Sequence, residues 1–376
     1  MRFPARRAKL PGVADSHQEF DLIVIGGGPA GATAGALCAQ SGLAVAVIEH
    51  RHFPRHKVCG DVLNPNCWPT LERLGVAGQI RALPHHTITG ALFTTSNGAT
   101  LDVPLQARAI RRSFFDAVLL QHARDCGATV FEGEAVREIS PSREVLTRSG
   151  RYVSRKGIIA ADGRHSVAAR ARRPATGGSH IAFQAHFRAP AALDDRVQLH
   201  LFPGGYCGVV RIDDGRVNVC IVTDREGARL HDDCEALFAS TVWHNRYFRE
   251  LGILPEPLEP LQCAHPLVTP PNVPCRDGVW LAGDALRATE PFTGQGIYFA
   301  LRTAELAADS VLTGSDYAAA IRRLYRQRTR TNHLLRRLLY HERAARPVVR
   351  ALQRWPGVTR WLAGNVLEAV ESRHDE

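Results

Sequence analysis

The tightest constraint on this chain is a glycine cluster, Gly26-Gly-Gly28-Pro-Ala-Gly31, set between a buried-strand pattern and a helical one. The run Asp21-Leu-Ile-Val-Ile25 fits a strand covered on both faces, Ala30 to Ser41 fits a helix, and Ala44 to Ile48 fits a second buried strand. That order is a parallel βαβ unit of about thirty residues. Gly26 suits the tight turn, Gly28 lets a pyrophosphate approach the backbone, and Gly31 lets helix and strand pack closely. Pro29 and Ala30 open the helix, whose free N–H groups and dipole favour phosphate. Glu49 ends the second strand, where a carboxylate accepts from ribose hydroxyls and repels a 2′-phosphate, so NADP is not expected at this first site. A glycine loop alone does no more than turn. Strand, helix and acid in this order predict dinucleotide binding.

The rest of the chain decides between NAD and FAD. An NAD enzyme needs one fingerprint, whereas a flavin must also be held along its ribityl chain and ring. Val279 to Ala282 reads as a short buried strand, and Gly283-Asp284 after it presents a carboxylate to a polyol hydroxyl. Pro291-Phe-Thr-Gly294-Gln295-Gly296-Ile297 then opens a helix running to about Leu312. Its N–H groups and dipole suit the edge of an isoalloxazine where negative charge gathers on reduction. FAD is the expected cofactor. An NAD-only dehydrogenase leaves this second glycine turn unexplained, and a non-catalytic escort protein has no need of it. No second GxGxxG follows, so NAD(P)H is expected as a transient electron donor, or a partner reductase takes its place.

Arg112 to Cys126 is helical in pattern, while Ala128 to Glu132 and Arg151 to Ile159 read as strands, the latter leading to Asp162-Gly163. Thr87 to Leu105 and Ile181 to Thr223 alternate apolar and polar residues, as half-exposed antiparallel strands do, with Asp213-Asp214-Gly215 as a hairpin turn. The expected fold class is α/β: a Rossmann-type FAD-binding domain interrupted by a substrate domain with an antiparallel β-sheet, plus a helical C-terminal tail. The expected limits are a flexible N-terminal tail over 1–18; a discontinuous FAD-binding domain over 19–86, 107–178 and 262–316; a substrate domain over 87–106 and 179–261; and a helical region over 317–376.

The combination Gly26–Gly31, Glu49, Asp162-Gly163, Gly283-Asp284 and Gly294-Gln295-Gly296 resembles FAD-dependent oxidoreductases of the p-hydroxybenzoate hydroxylase fold. The resemblance covers about Phe20 to Leu312. It implies that Asp162 and Gly163 lie near the cofactor phosphates, that Asp284 contacts the ribityl chain, and that Arg112 contacts FAD. The stretch Glu49-His50-Arg-His-Phe53-Pro-Arg55-His-Lys57-Val-Cys59-Gly60-Asp61 is similar to the geranylgeranyl reductase-like branch, with flavin-dependent halogenases as cousins. By that similarity His50, Arg55, Lys57, Cys59 and Gly60 join the cofactor-binding set. The chain departs from the pattern at Leu286-Arg287, carries no Trp-x-Trp-x-Ile-Pro motif, and reads Tyr206-Cys-Gly208 where the reductases show Tyr-x-Trp. An isoprenoid substrate is therefore not inherited from the resemblance alone.

In flavoenzymes the cofactor carries the redox chemistry, so the protein's own candidates are few. Cys59 either lies beside the isoalloxazine or is a buried thiol. Lys57 anchors phosphate, pairs with Asp61 or serves as a halogenase-type acid. Tyr206, His186 and His200 lie on the substrate strands, where each donates a proton, orients a substrate or is simply satisfied. No metal-ligand set or Ser-His-Asp order stands out. The expected substrate is a hydrophobic small molecule of isoprenoid, quinone or polyketide type. Double-bond reduction by flavin hydride is the favoured chemistry; hydroxylation or epoxidation through a C4a-hydroperoxide is the alternative, ahead of halogenation.

Composition excludes little beyond this. At 376 residues, 45% hydrophobic and 22% charged, the chain is globular, and its net charge of +10 is almost all arginine. The arginines crowd the C-terminal third rather than interleaving with aromatics, so nucleic acid is not an expected partner. Nine cysteines without a CxxC pair suit free thiols in the cytoplasm. No run of eighteen apolar residues appears, and the basic, polar start is not a secretory signal. Tyr317 to Val370 is arginine-rich and amphipathic, with Leu334, Leu335, Leu338 and Leu339 at helical spacing. It either packs on the FAD domain or docks on an anionic membrane surface.

Overall fold

The computed structural model describes residues 17–95, 98–170, 180–202, 204–224, 236, 238, 250–253, 256–326, 342–355 and 357. Two sheets organise it. The first takes β1 (His17–Ile25), β2 (Val45–Glu49), β6 (Thr129–Glu132), β9 (Arg151–Ala160) and β16 (Val279–Leu281) in the parallel order β16-β9-β1-β2-β6. Leu22, Ile23 and Val24 of β1 are fully buried, because helices cover both faces of a parallel sheet. Pro29–Gln40 is the helix expected after the glycine turn, and its small residues let it lie close on the sheet. A Cβ added at Gly35 would stand 2.8 Å from Val47 Cγ2.

β1 starts earlier than the hydrophobic pattern suggests. His17 to Phe20 pair with Arg151 to Ser154, so the last two residues of the expected tail are strand, and residues 1–16 lie outside the described part. Here backbone pairing with a long neighbour decides the boundary, while the side chains carry no buried-strand signal.

The second sheet has the order β14-β10-β13-β12-β11-β4-β5-β3. Its strands are β3 (Val62–Leu63), β4 (His86–Thr94), β5 (Thr100–Ala109), β10 (His180–Arg188), β11 (Arg196–Phe202), β12 (Gly205–Asp213), β13 (Arg216–Asp224) and β14 (Gln262–Ala264). It differs from the expectation in one pairing. β11 runs parallel to β4, with Val197 beside Ala91 and Leu199 beside Phe93, because the two strands reach the sheet from distant parts of the chain. Its edges also take in Val62–Leu63 and Gln262–Ala264, so pairing crosses the expected limits at 87 and 262.

The long helix Gly296–Thr313 and a further helix over 317–326 close one side of the first sheet. Tyr317, Ile321 and Tyr325 are buried at i, i+4 and i+8, and the Tyr317 hydroxyl donates to the Leu281 carbonyl at 2.6 Å. This stretch packs on the FAD domain, the first of the two roles considered for the tail. Glu342–Arg354 rests on β5 instead, through the Gln353 amide and the Thr100 carbonyl. Leu334, Leu335, Leu338 and Leu339 lie outside the described residues. Among the described residues no helix is long and apolar enough to cross a membrane.

Candidate cofactor and substrate cleft

The two sheets enclose a cleft of about 900 Å3, reached by the glycine turn, the stretch from Glu49 to Gly60, and the Gly294–Gly296 turn. The glycines divide their work. Gly26 has φ +98°, and a Cβ there would stand 2.5 Å from the Ala161 carbonyl oxygen. At Gly31 a Cβ would stand 1.7 Å from the Gly26 oxygen. Gly28 is different: a Cβ would approach Arg55 Nη2 at 3.3 Å and otherwise project into the cleft. The first and last glycines thus hold helix against strand, and the middle one keeps the helix mouth clear for phosphate.

Glu49 is 3% exposed. Its Oε2 accepts from the Gly27 N–H at 2.7 Å, its Oε1 accepts from the Arg51 N–H at 2.7 Å, and His50 Nδ1 stands 2.9 Å away. Burial pushes the Glu49 pKa up, but the His50 contact and the two backbone donors outweigh it and hold the carboxyl below its usual range. It is therefore a fixed anion at the cleft mouth, where His50 is exposed, and a carboxylate held this way is able to accept from hydroxyls.

Arg112 opens its helix, Arg112–Asp125, and reaches one turn on to buried Asp116 with paired contacts of 2.7 Å from Nε and Nη2. Arg55 Nη1 adds a third approach to Asp116 at 3.1 Å. Burial works against the Arg112 charge, but Asp116 and Cys59 more than offset it and strengthen its hold on the proton. Arg164 donates to the Pro266 carbonyl at 3.1 Å and stands 3.6 Å from Asp284. Lys57 joins this group rather than pairing with Asp61, as one of its expected roles had it. Burial, then the nearby Arg164 cation, pushes its ammonium down to about 8 against the pull of Asp284. Arg55, Lys57, Arg112 and Arg164 thus share Asp116 and Asp284, an excess of positive charge suited to a pyrophosphate dianion.

A pH prediction follows from Lys57. An anion beside it raises its pKa, so FAD binding takes up a proton once the pH passes about 8. FAD affinity is expected to fall as pH rises through that value, and Lys57→Met to remove that part of the pH dependence in a flavin-fluorescence titration.

At the far end, the Gly283 N–H donates to Thr303 Oγ1 at 2.8 Å, which fixes the turn that carries Asp284 into the cleft. Gly294 has φ +61°. A Cβ at Gly294 or Gly296 would meet nothing within 4 Å, so the backbone before the long helix faces open space. Ile297 lines the same wall, while Gln295 is buried behind it and its carbonyl accepts the first helical bond, from Phe299, at 2.9 Å. Asp162 and Gly163 line the cleft beside Lys57, and the Asp162 carboxylate also accepts from the Val167 N–H at 2.8 Å. The residues fit FAD: a clear phosphate mouth, a fixed ribose acceptor, surplus cations and an open, amide-lined ring wall.

Beyond the cofactor half, the cleft is walled by Ile181, Val197, Leu199, Gly208, Val210 and Leu267. Leu199, Gly208 and Cys220 stand side by side in register on neighbouring strands. Gly208 leaves the middle of that row open, since a Cβ would meet Cys220 O at 3.7 Å and Leu199 Cδ2 at 3.8 Å and nothing closer. Cys59 lines the cleft, and burial, opposed by Arg112, pushes its thiol up, so it carries its proton at neutral pH.

Residues 19–202 match the model of a family described as an FAD binding domain. The chain is an FAD-dependent oxidoreductase. It is 28% identical over 329 residues to the menaquinone reductase of Mycolicibacterium smegmatis, covering 80% of this chain and 78% of that one. To digeranylgeranylglycerophospholipid reductase 2 of Methanopyrus kandleri it is 26% identical over 341 residues, 82% of each. The structure of a flavin-dependent brominase superposes with a TM-score of 0.76 over 94% of this chain and 96% of that one, at 20% identity, a likeness of fold.

In this oxidoreductase the three expected catalytic side chains part ways. Cys59 lines the cleft. Tyr206 packs edge-on against Phe292, ring centres 5.8 Å apart, within an apolar cluster rather than on the cleft wall. His186 is buried and held between two carboxylates, with Nε2 2.9 Å from Asp61 and Nδ1 2.9 Å from Glu259. His200 meets Thr94 Oγ1 at 2.8 Å, and burial pushes its pKa down to about 4, so it stays neutral. Arg287, the departure after Gly283-Asp284, turns its guanidinium over the Tyr325 ring at 5.1 Å. Sequence reasoning missed Arg164, Asn218 and Glu259. Arg164 adjoins Asp162-Gly163 and was within reach of that motif. The other two carry no local pattern.

Proposed function

We propose that this oxidoreductase reduces a carbon–carbon double bond of an apolar, isoprenoid-type substrate, with NAD(P)H as the transient electron donor. The observation that carries the reading is the division of the cleft: charged where the cofactor lies, apolar along the sheet, with a protonated thiol lining it. An apolar chain gains free energy by leaving water for such a wall, at roughly 25 cal/mol per Å2 of surface buried. The reductase-named relatives support the same chemistry.

Reduced FAD, when bound, supplies a hydride to one alkene carbon. The other carbon needs a proton, and Cys59 holds one at Sγ. Arg112, hydrogen-bonded to that sulfur, stabilises the thiolate left behind, and solvent restores the proton. The apolar wall excludes water while the two transfers occur. The test is NAD(P)H-driven turnover without oxygen on geranylgeraniol and on phenols, followed by mass analysis. A prenyl product that has gained two hydrogens is expected. Oxygen uptake coupled to a hydroxylated product would instead support the monooxygenase reading.

A further inference from the structure

Asp61 is a buried, non-glycine residue in the left-handed region, at φ +56°. An L residue is disfavoured there, and glycine in its place would relieve the backbone. The carboxylate that glycine would lack is fully engaged. Its Oδ1 accepts from the Arg112 N–H at 3.1 Å, and its Oδ2 accepts from Asn218 Nδ2 at 2.6 Å and from His186 Nε2 at 2.9 Å. Asn218 Nδ2 donates as well to the Cys59 carbonyl at 2.8 Å. His186 meets a carboxylate at each ring nitrogen, with the Gln184 amide also 3.1 Å from Nε2. Burial works against the charged ring, but Asp61 and Glu259 outweigh it and hold its pKa above the usual range. Glu259 behind it is braced by Arg216 at 2.9 Å, His56 at 3.1 Å and Arg111 at 3.5 Å. Each of these contacts involves a side chain and lies outside the backbone ladders of the two sheets. They join the segment Cys59-Gly60-Asp61 to β10, to β13 and to the start of the Arg112 helix.

We propose that Asp61, gripped by His186 and Asn218, is a positioning residue that clamps the Cys59–Asp61 segment to the substrate sheet and so fixes where Cys59 stands in the cleft. Strained backbone persists where its surroundings over-determine it, and here the surroundings are three donors drawn from three separate elements. The clamp explains why a histidine on a cleft-facing strand is buried between two carboxylates instead of reaching the substrate. It also sets the height of the Cys59 carbonyl, because one amide group holds that carbonyl and the Asp61 carboxylate together. Its use to the enzyme rests on the reading of Cys59 as proton donor, but the clamp itself is tested without that reading.

The experiment is alkylation of the FAD-loaded enzyme by iodoacetamide, resolved cysteine by cysteine with mass spectrometry. Asp61→Gly removes the carboxylate and relieves the backbone, so the fold is spared. It is expected to raise the modification rate of Cys59 about tenfold, as release of a local contact does, and to shift the visible band of bound FAD. Cys38 and Cys67, buried elsewhere, serve as references and stay unmodified. Asp61→Asn tolerates the left-handed region but sets an amide N–H against one of the donors that the two carboxylate oxygens accept from, and is expected to give a rate between those of wild type and Asp61→Gly. Should Asp61→Gly fail to hold FAD, Asn218→Ala is read in the same way. An unchanged Cys59 rate in the loaded variants overturns the proposal, and so does a rise at Cys38 and Cys67 in step with Cys59. Loss of turnover in a Cys59 variant tests the proton-donor reading and leaves the clamp untouched.

Discussion

Replacing Cys59 with alanine is expected to slow double-bond reduction by about a hundredfold or more, the usual contribution of a positioned general acid. FAD content and the rate at which NAD(P)H reduces the flavin are expected to stay within about twofold of wild type, since neither needs the thiol proton. The size of the effect follows from the surroundings. Burial keeps the sulfur protonated, while the neighbouring Arg112 guanidinium favours the thiolate once the proton has left. Serine offers a weaker acid at the same place and is expected to recover little. Cys67, with its thiol pushed up by burial among core residues, shows what a thiol does without such a neighbour. Its replacement by alanine is expected to lower stability and leave the chemical step alone.

The second large effect concerns the glycine turn, where two substitutions of the same kind are expected to fail in different ways. Gly31→Ala places a carbon 1.7 Å from the Gly26 carbonyl oxygen, so the helix Pro29–Gln40 must move off β1. That disrupts packing at the centre of the first sheet and is expected to cost about 4 kcal/mol or more of stability, read as a large fall in Tm of the cofactor-free protein. Gly28→Ala meets a movable arginine tip at 3.3 Å and open space beyond. Its fold is expected to survive, with Tm of the cofactor-free protein near wild type. FAD affinity is expected to fall about a hundredfold, close to 2.7 kcal/mol, because the new methyl occupies the approach of the pyrophosphate. Equal losses of stability in the two variants would contradict this division of work.

How much of this was legible in the sequence depended on range. The βαβ unit, Glu49 and the turns at Gly283 and Gly294 could be read because each is a short pattern whose neighbours in the fold are its neighbours in the chain. The substrate strands could be read from their alternation, but the parallel pairing of β11 with β4 could not, since alternation does not report direction. Asp61, His186 and Glu259 were beyond reach as a group. They lie 125 and 73 residues apart in sequence, and only the closed sheet brings them together. Lys57 and Asp61, four residues apart and opposite in charge, suggested a pair; the turn at Asp61 sends their side chains to different partners. Tyr206 belongs to the familiar Tyr-x-x pattern, yet its ring is held in the apolar cluster around Phe292 while Gly208, two residues on, faces the cleft.

The most direct measurement of the central claim is a single turnover of the reduced enzyme, followed by flavin absorbance after mixing with geranylgeraniol in the strict absence of oxygen. The account expects the flavin to be reoxidised by the substrate alone, with one saturated double bond formed for each flavin. A flavin that stays reduced until oxygen is admitted, and then yields a product carrying an atom of that oxygen, would contradict it.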